Sequence, residues 1–243
     1  MYEKVRAVVL RLIRYSERNN IVHAYTDGRG LMSFLVPAGT GGAGARRRQA
    51  LLMPLSLLEL EARLKPGTEL ATMHDMERYE PLQAIYSDPP RVAIAMFVSE
   101  LLCRTIVEHE RNEALFAFIE ASVLTLEHLR SDAVANFHLL FLYRLGAHLG
   151  IEPNMETYAT GRWFDMMEGV FTDDPAGRHA LEPERAAVIR LLDRMTTANL
   201  HLFRFNHKQR GEVLDTILAY YRLHNAALGT LRSLDVLKQI FQG

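Results

Sequence analysis

Over the first eighty or so positions apolar and polar residues alternate in short runs, and from about residue 87 the repeat lengthens to that of a helix. "KVRAVVLRLIRY" (4–15) is rich in β-branched residues and alternates. "IVHAYT" (21–26) follows the polar "SERNN", and "DGRG" (27–30) supplies a tight-turn signal before "LMSFLV" (31–36). After a glycine- and arginine-rich stretch come "LLMPLSLLELEARL" (51–64), a "KPGT" turn (65–68) and "ELATMHDMERYEP" (69–81). Five antiparallel strands of this size, joined mostly by short turns, predict a small Greek-key barrel of the OB type; an SH3-like barrel would give a similar pattern.

The remainder reads as helices. "SDPPRVAIAMFVSELLCRTIVEHE" (87–110) has an aspartate cap at Asp88, prolines in its first turn and apolar residues nearly all round, which predicts a central buried helix. Asn112 caps the next helix, and a further one begins near Ser131 and Asp132 and stops at Gly150. Residues 151–182 carry Pro153, Gly161, Gly169, "DDP" and Gly177 and read as loop. Later helices are "EPERAAVIRLLDRMT", "HKQRGEVLDTILAYYRLHN" and, after a break near Gly229, "SLDVLKQIF" with Ser233 as its cap. The expected class is α+β: an N-terminal barrel over residues 1–80, then an all-helical domain over 81–243.

Length and composition agree with this division. A chain of 243 residues, 49% hydrophobic and 23% charged, has a globular profile and room for two ordinary domains. No apolar stretch reaches the ~18 unbroken residues of a membrane span, and the charged N-terminus lacks a signal-peptide core. A cytoplasmic protein with no membrane partner is the expectation. Cys103 is the only cysteine, so an intramolecular disulfide and any zinc site of paired cysteines are excluded.

Charge is unevenly distributed. The net charge is −1, yet residues 1–50 hold nine Lys and Arg against three acids, a local +6, and leave −7 to the rest. A split of this kind predicts one basic face on an otherwise acidic protein. Its centre is "PAGTGGAGARRRQALL" (37–52). A Walker A loop needs a lysine and a hydroxyl after its glycines, and neither is present. A flexible arm ending in Arg46, Arg47 and Arg48 suits a phosphate backbone instead, since each guanidinium can grip phosphate with two hydrogen bonds. Arg11, Arg14, Arg18 and Arg29 extend the basic face. The bland alternative is a solvated loop whose charge only aids solubility. Tyr15, Tyr25 and Phe34 lie in segments where base-stacking aromatics would be placed, and Phe34 suits a core position.

Catalytic signatures are missing. Glu108–Glu110 ("EHE") and Glu127 with His128 suggest metal ligands, but no Glu-x-x-His pair accompanies them. His138, on an apolar helix, reads as a core residue. There is no Gly-x-Ser-x-Gly elbow, and Cys103 in an apolar helix reads as inert. Lys208 and Arg210 fall in the first turn of a helix, where positive charge opposes the dipole; they serve either an external anionic partner or a merely polar face.

The order of these pieces resembles the RecO family of bacterial DNA repair proteins. "GTGGAGARRRQ" leads to "QALLMPLSLLELE", and the chain closes on "YYRLHNAALGTLRSLDVLKQIF". "NFHLLFLYRLGAHLG" and "RWFDMMEGVF" look like their counterparts in the Bacteroidetes branch. The resemblance spans essentially the whole chain. It implies a non-enzymatic recombination mediator and single-strand annealing protein that uses no nucleotide. Such a protein binds single- and double-stranded DNA and the C-terminal tail of single-stranded DNA-binding protein (SSB). It pairs with RecR and so acts indirectly on RecA, which implies a cytoplasmic, nucleoid-associated location. The DNA-binding residues would be Arg46, Arg47, Arg48, Arg11, Arg14, Arg18, Arg29, Lys208 and Arg210, and the basic rim of a pocket for the SSB tail would be Arg104, Arg111 and Arg144. Many relatives carry a four-cysteine zinc site where residues 151–182 have none. No cofactor is expected, and packing around Trp163, Phe164 and Phe171 would replace the metal. The rival reading is a helical protein-interaction scaffold that does not bind DNA; a metal-dependent nuclease is a weaker one.

Overall fold

The computed structural model describes residues 2–39, 42–64, 70–106, 109–174 and 177–241. The "KPGT" turn and Glu108 lie outside them. The chain divides into two compact units, Met1–His128 with Leu231–Leu234, and Leu129–Thr230 with Asp235–Gly243.

The first unit opens with β1 (Tyr2–Arg14), β2 (Asn19–Thr26) and β3 (Gly30–Pro37), followed by a helix α1 (Ala43–Leu51) and by β4 (Leu57–Arg63) and β5 (Leu70–Arg78). The strands close into a barrel in the order β1-β2-β3-β5-β4, with β3 and β5 parallel and the other pairs antiparallel. Alternate residues point inward: Val5, Ala7 and Val9 from β1, Val22 and Ala24 from β2, Phe34 and Val36 from β3. A bulge between Val9 and Arg11 then shifts the phase of β1. An unbroken alternation would aim Arg11 into the core. The extra residue instead pairs Arg11 with His23 on the outer face and lets Leu12 pack on the core. Val8 and Leu10, at 0% and 2% exposure, are buried on the strand's other side, against which α3 packs.

Three helices complete this unit: α2 (Gln83–Ser87), α3 (Pro89–Thr105) and α4 (Glu113–His128). Asp88 precedes the prolines as expected, but its carboxylate pairs with the buried Arg91 and does not cap the helix. Asn112 does cap α4, its Oδ1 accepting from the Leu115 amide at 3.0 Å. Glu127 is also engaged structurally, accepting from the amides of Ala84 and Ile85 at the start of α2. Burial pushes the Cys103 thiol up to about 11, which keeps it protonated and inert.

The second unit holds α5 (Ser131–Val134), α6 (Phe137–His148), three short strands β6 (Trp163–Asp165), β7 (Val170–Thr172) and β8 (Ala180–Leu181), and the helices α7 (Pro183–Asp193) and α8 (His207–His224). Most of α9 (Ser233–Ile240) belongs to it. Two expectations are corrected here. The single helix read from Ser131 to Gly150 breaks at Asn136, whose buried amide donates to the carbonyls of Leu200 and Phe203. The loop read over 151–182 contains a three-stranded antiparallel sheet, ordered β7-β6-β8. Phe164 (0% exposed) packs on Phe171 at 4.9 Å and on Tyr220 at 5.8 Å, with Trp163 half-buried. Apolar contact of this kind holds the sheet to α8. Ser233 opens α9, and its hydroxyl donates to Glu100.

Candidate nucleic-acid interface

The stretch read as a flexible arm is a helix from Ala43 onward; Thr40 and Gly41 of its glycine-rich start are outside the described residues. Alanine, arginine and glutamine are good helix formers, which outweighs Gly44 in the first turn. No residue of α1 is buried, and no acid stands in its first turn. The helix is held by its C-terminal end, where Leu52 (4% exposed) and Leu51 plug the barrel core. Arg78 clamps the same end: its guanidinium donates to the Ala50 carbonyl and lies 5.2 Å from the Tyr86 ring centroid. Anchored this way, α1 projects its arginines over the barrel.

Between α1 and the outer faces of β3 and β5 runs a groove of about 550 Å³. Arg47 and Arg48 line its helical wall, Leu35, Pro37, Thr72 and His74 its strand wall, and Asn19 its edge; Asp75 is the one acid among the described lining residues. Arg46 stands exposed beside them. Arg18 joins from the β1–β2 turn, its carbonyl accepting from the Ala38 amide at 2.8 Å, and Arg14 faces Asn20 across the same hairpin. None of Arg14, Arg18, Arg46, Arg47 and Arg48 forms an ion pair with a described residue.

The other sequence candidates are placed elsewhere. Arg29 sits in the β2–β3 turn, at the opposite end of an eight-residue hairpin and so roughly 25 Å of strand from Asn19, and pairs with Glu3 at 2.7 Å. Arg11 lies beside His23; burial, and then the charge of Arg11, hold that imidazole below its usual range. Lys208 and Arg210 are on α8 in the second unit, lining a pocket of about 250 Å³ with Leu214, Leu237, Lys238 and Phe241. Arg210 is turned inward: it donates to Asn136 Oδ1 at 3.2 Å and to the Phe205 carbonyl at 2.8 Å, and burial lowers its pKa. The proposed tail rim is divided between the units. Arg104 pairs with Glu100 and Arg111 with Glu113 in the first, while Arg144 in the second donates to the carbonyls of Asp193 and Met195.

Of the aromatic candidates, Tyr25 and Phe34 are buried at 1% and 0%, whereas Tyr15 is 64% exposed in the β1–β2 turn. The sequence reading missed Tyr2, 54% exposed, whose ring meets His74 at 5.7 Å. Only the closing of β1 on β4, whose other neighbour is β5, reveals that neighbourhood. Among the described residues no group of three or more His, Cys, Asp or Glu could hold a metal ion, and no helix is long and apolar enough to cross a membrane.

Comparison with known proteins accounts for both halves of the chain. The profile described as recombination protein O N terminal matches residues 1–82, and that described as recombination protein O C terminal matches residues 86–234. The chain is 38% identical over 243 residues to the DNA repair protein RecO of Bacteroides fragilis, covering 99% of this chain and all of the relative. It is 37% identical over 242 residues to the RecO of Phocaeicola vulgatus and 32% over 241 residues to that of Flavobacterium johnsoniae, with the same coverage. A barrel with a basic groove followed by a helical region, matched from end to end by these relatives, places the chain in the RecO family of DNA repair proteins.

Proposed function

We propose that the chain is a DNA-binding recombination mediator and single-strand annealing protein that acts with RecR and SSB to load RecA. The observation that carries this reading is the groove between α1 and β5. Its arginines, Arg47 and Arg48, are on one wall and form no ion pair with a described residue, so their charge is available to a polyanion. Phosphate contacts of that type grip single or double strands alike, release counterions and need no nucleotide. The pocket on α8 and α9 is the second element of the reading. Lys208 and Lys238 form a basic rim around Leu214, Leu237 and Phe241, which suits an acidic tail ending in phenylalanine. Glu212 and Asp215, which pair with Lys208 and Lys238, would be displaced by the tail's own carboxylates.

Annealing of complementary oligonucleotides coated with SSB tests the proposal. Acceleration by the protein without nucleotide is the expected result, and it should weaken when SSB lacks its terminal phenylalanine. Absence of both annealing and salt-dependent DNA binding would favour the protein-scaffold reading, and divalent-dependent cleavage a nuclease.

A further inference from the structure

The geometry points to Tyr2, with His74, as a base-stacking platform beside the groove that makes the barrel favour single-stranded over duplex DNA; this rests on the proposed DNA-binding reading. Tyr2 begins β1 and pairs in register with Arg63 of β4. Tyr2 is 54% exposed, an unusual placement for an aromatic residue in a strand whose middle is buried on both sides. The ring is nevertheless held. The Arg63 guanidinium lies 5.3 Å from its centroid, and the His74 ring stands at 70° to it. Thr72 Oγ1, at 3.2 Å from His74 Nε2, fixes the imidazole in turn. His74 and Thr72 both line the groove whose far wall carries Arg47 and Arg48. An exposed ring, pre-positioned by a cation and an edge contact and adjoining phosphate-binding arginines, is the arrangement that stacking on a nucleobase requires.

The consequence is selectivity. A single strand can offer an unstacked base to Tyr2 while its phosphates lie on α1, whereas duplex bases are already stacked and paired and gain nothing from the ring. Both forms use the arginines, and only one uses the platform.

Binding of a labelled single strand, the matching duplex and an abasic strand of the same length is measured for wild type, Tyr2→Ala and Tyr2→Phe. Stacking of one base corresponds to a roughly five- to 150-fold loss of single-strand affinity in Tyr2→Ala. Duplex binding should change by less than about two-fold, within the scatter expected of a neutral surface substitution. Tyr2→Phe keeps the ring and should behave as wild type. Removing the bases should weaken wild type but not Tyr2→Ala. Equal losses on single strand and duplex, or no loss on either, overturn the platform while leaving the DNA-binding reading intact. Failure of wild type to bind any of the three probes overturns the DNA-binding reading and the platform with it.

Discussion

The arginines of the barrel groove and those around α8 contribute the same formal charge but occupy different chemical states. Arg46, Arg47 and Arg48 stand on a helix with no buried residue and form no ion pair with a described residue. In the second unit Arg210 is folded onto Asn136 and Phe205, and Arg144 onto two backbone carbonyls. Cations of the first kind cost little to keep and are available to a ligand. Those of the second kind hold the protein together. Net charge therefore says less about polyanion binding than the number of cations without internal partners, which is how a chain at −1 can carry a DNA-binding surface.

The comparison can be broken most severely through the packing of the second unit. Phe164→Ala removes a fully buried ring from between Phe171 and Tyr220 and should cost about 3–5 kcal/mol in a urea melt. Under conditions where the variant remains folded, the salt dependence of its DNA binding should be that of wild type. Acid should act on the same unit. Burial, aided by the charge of Arg210, lowers the His138 pKa from 6.5 to about 3. The native ring thus stays neutral where the unfolded chain takes up a proton, so the stability is fully present above pH 6.5 and is lost as pH falls toward 3. The loss is about 1.4 kcal/mol per pH unit, and His138→Gln should flatten this limb of a stability–pH curve.

Smaller effects sharpen the contrast. Arg210→Ala should destabilise by about 1–3 kcal/mol, because it leaves Asn136 and the Phe205 carbonyl without their donor, and should leave the salt slope of DNA binding unaltered. Arg47→Ala should do the reverse, with a stability change below about 0.5 kcal/mol and a slope lower by about 0.7. Arg29→Ala, which breaks only an exposed pair at the far end of the hairpin, should change neither stability by more than about 1 kcal/mol nor the slope measurably.

Much of the barrel was legible because its inward positions alternate strictly, from Val5 to Val9 and from Val22 to Ala24. The bulge at Leu10 was not, since "VVLRLIR" is apolar on both sides of the phase shift. Helix α1 was hidden for the opposite reason: it buries nothing and so has no apolar stripe, although its Ala, Arg and Gln residues were a propensity signal. Strands of two or three residues such as β6 and β8 are too short to show any period. The break at Asn136 depends on carbonyls more than sixty residues away in sequence. The cluster at Arg46–Arg48 could be found from charge alone. The separation of Arg29 from it, and the exposure of Tyr2, follow from how the strands close, which no local pattern records.

The central claim is that the arginines of α1 contact DNA phosphates. Fluorescence anisotropy of a labelled single-stranded oligonucleotide, titrated at several salt concentrations with wild type and the Arg46→Ala/Arg47→Ala/Arg48→Ala triple variant, tests it most directly. Loss of three contacts should reduce the slope of log affinity against log salt by about two, at ~0.7 per contact on a single strand. Equal slopes with binding intact would contradict the account and move the DNA site away from this helix.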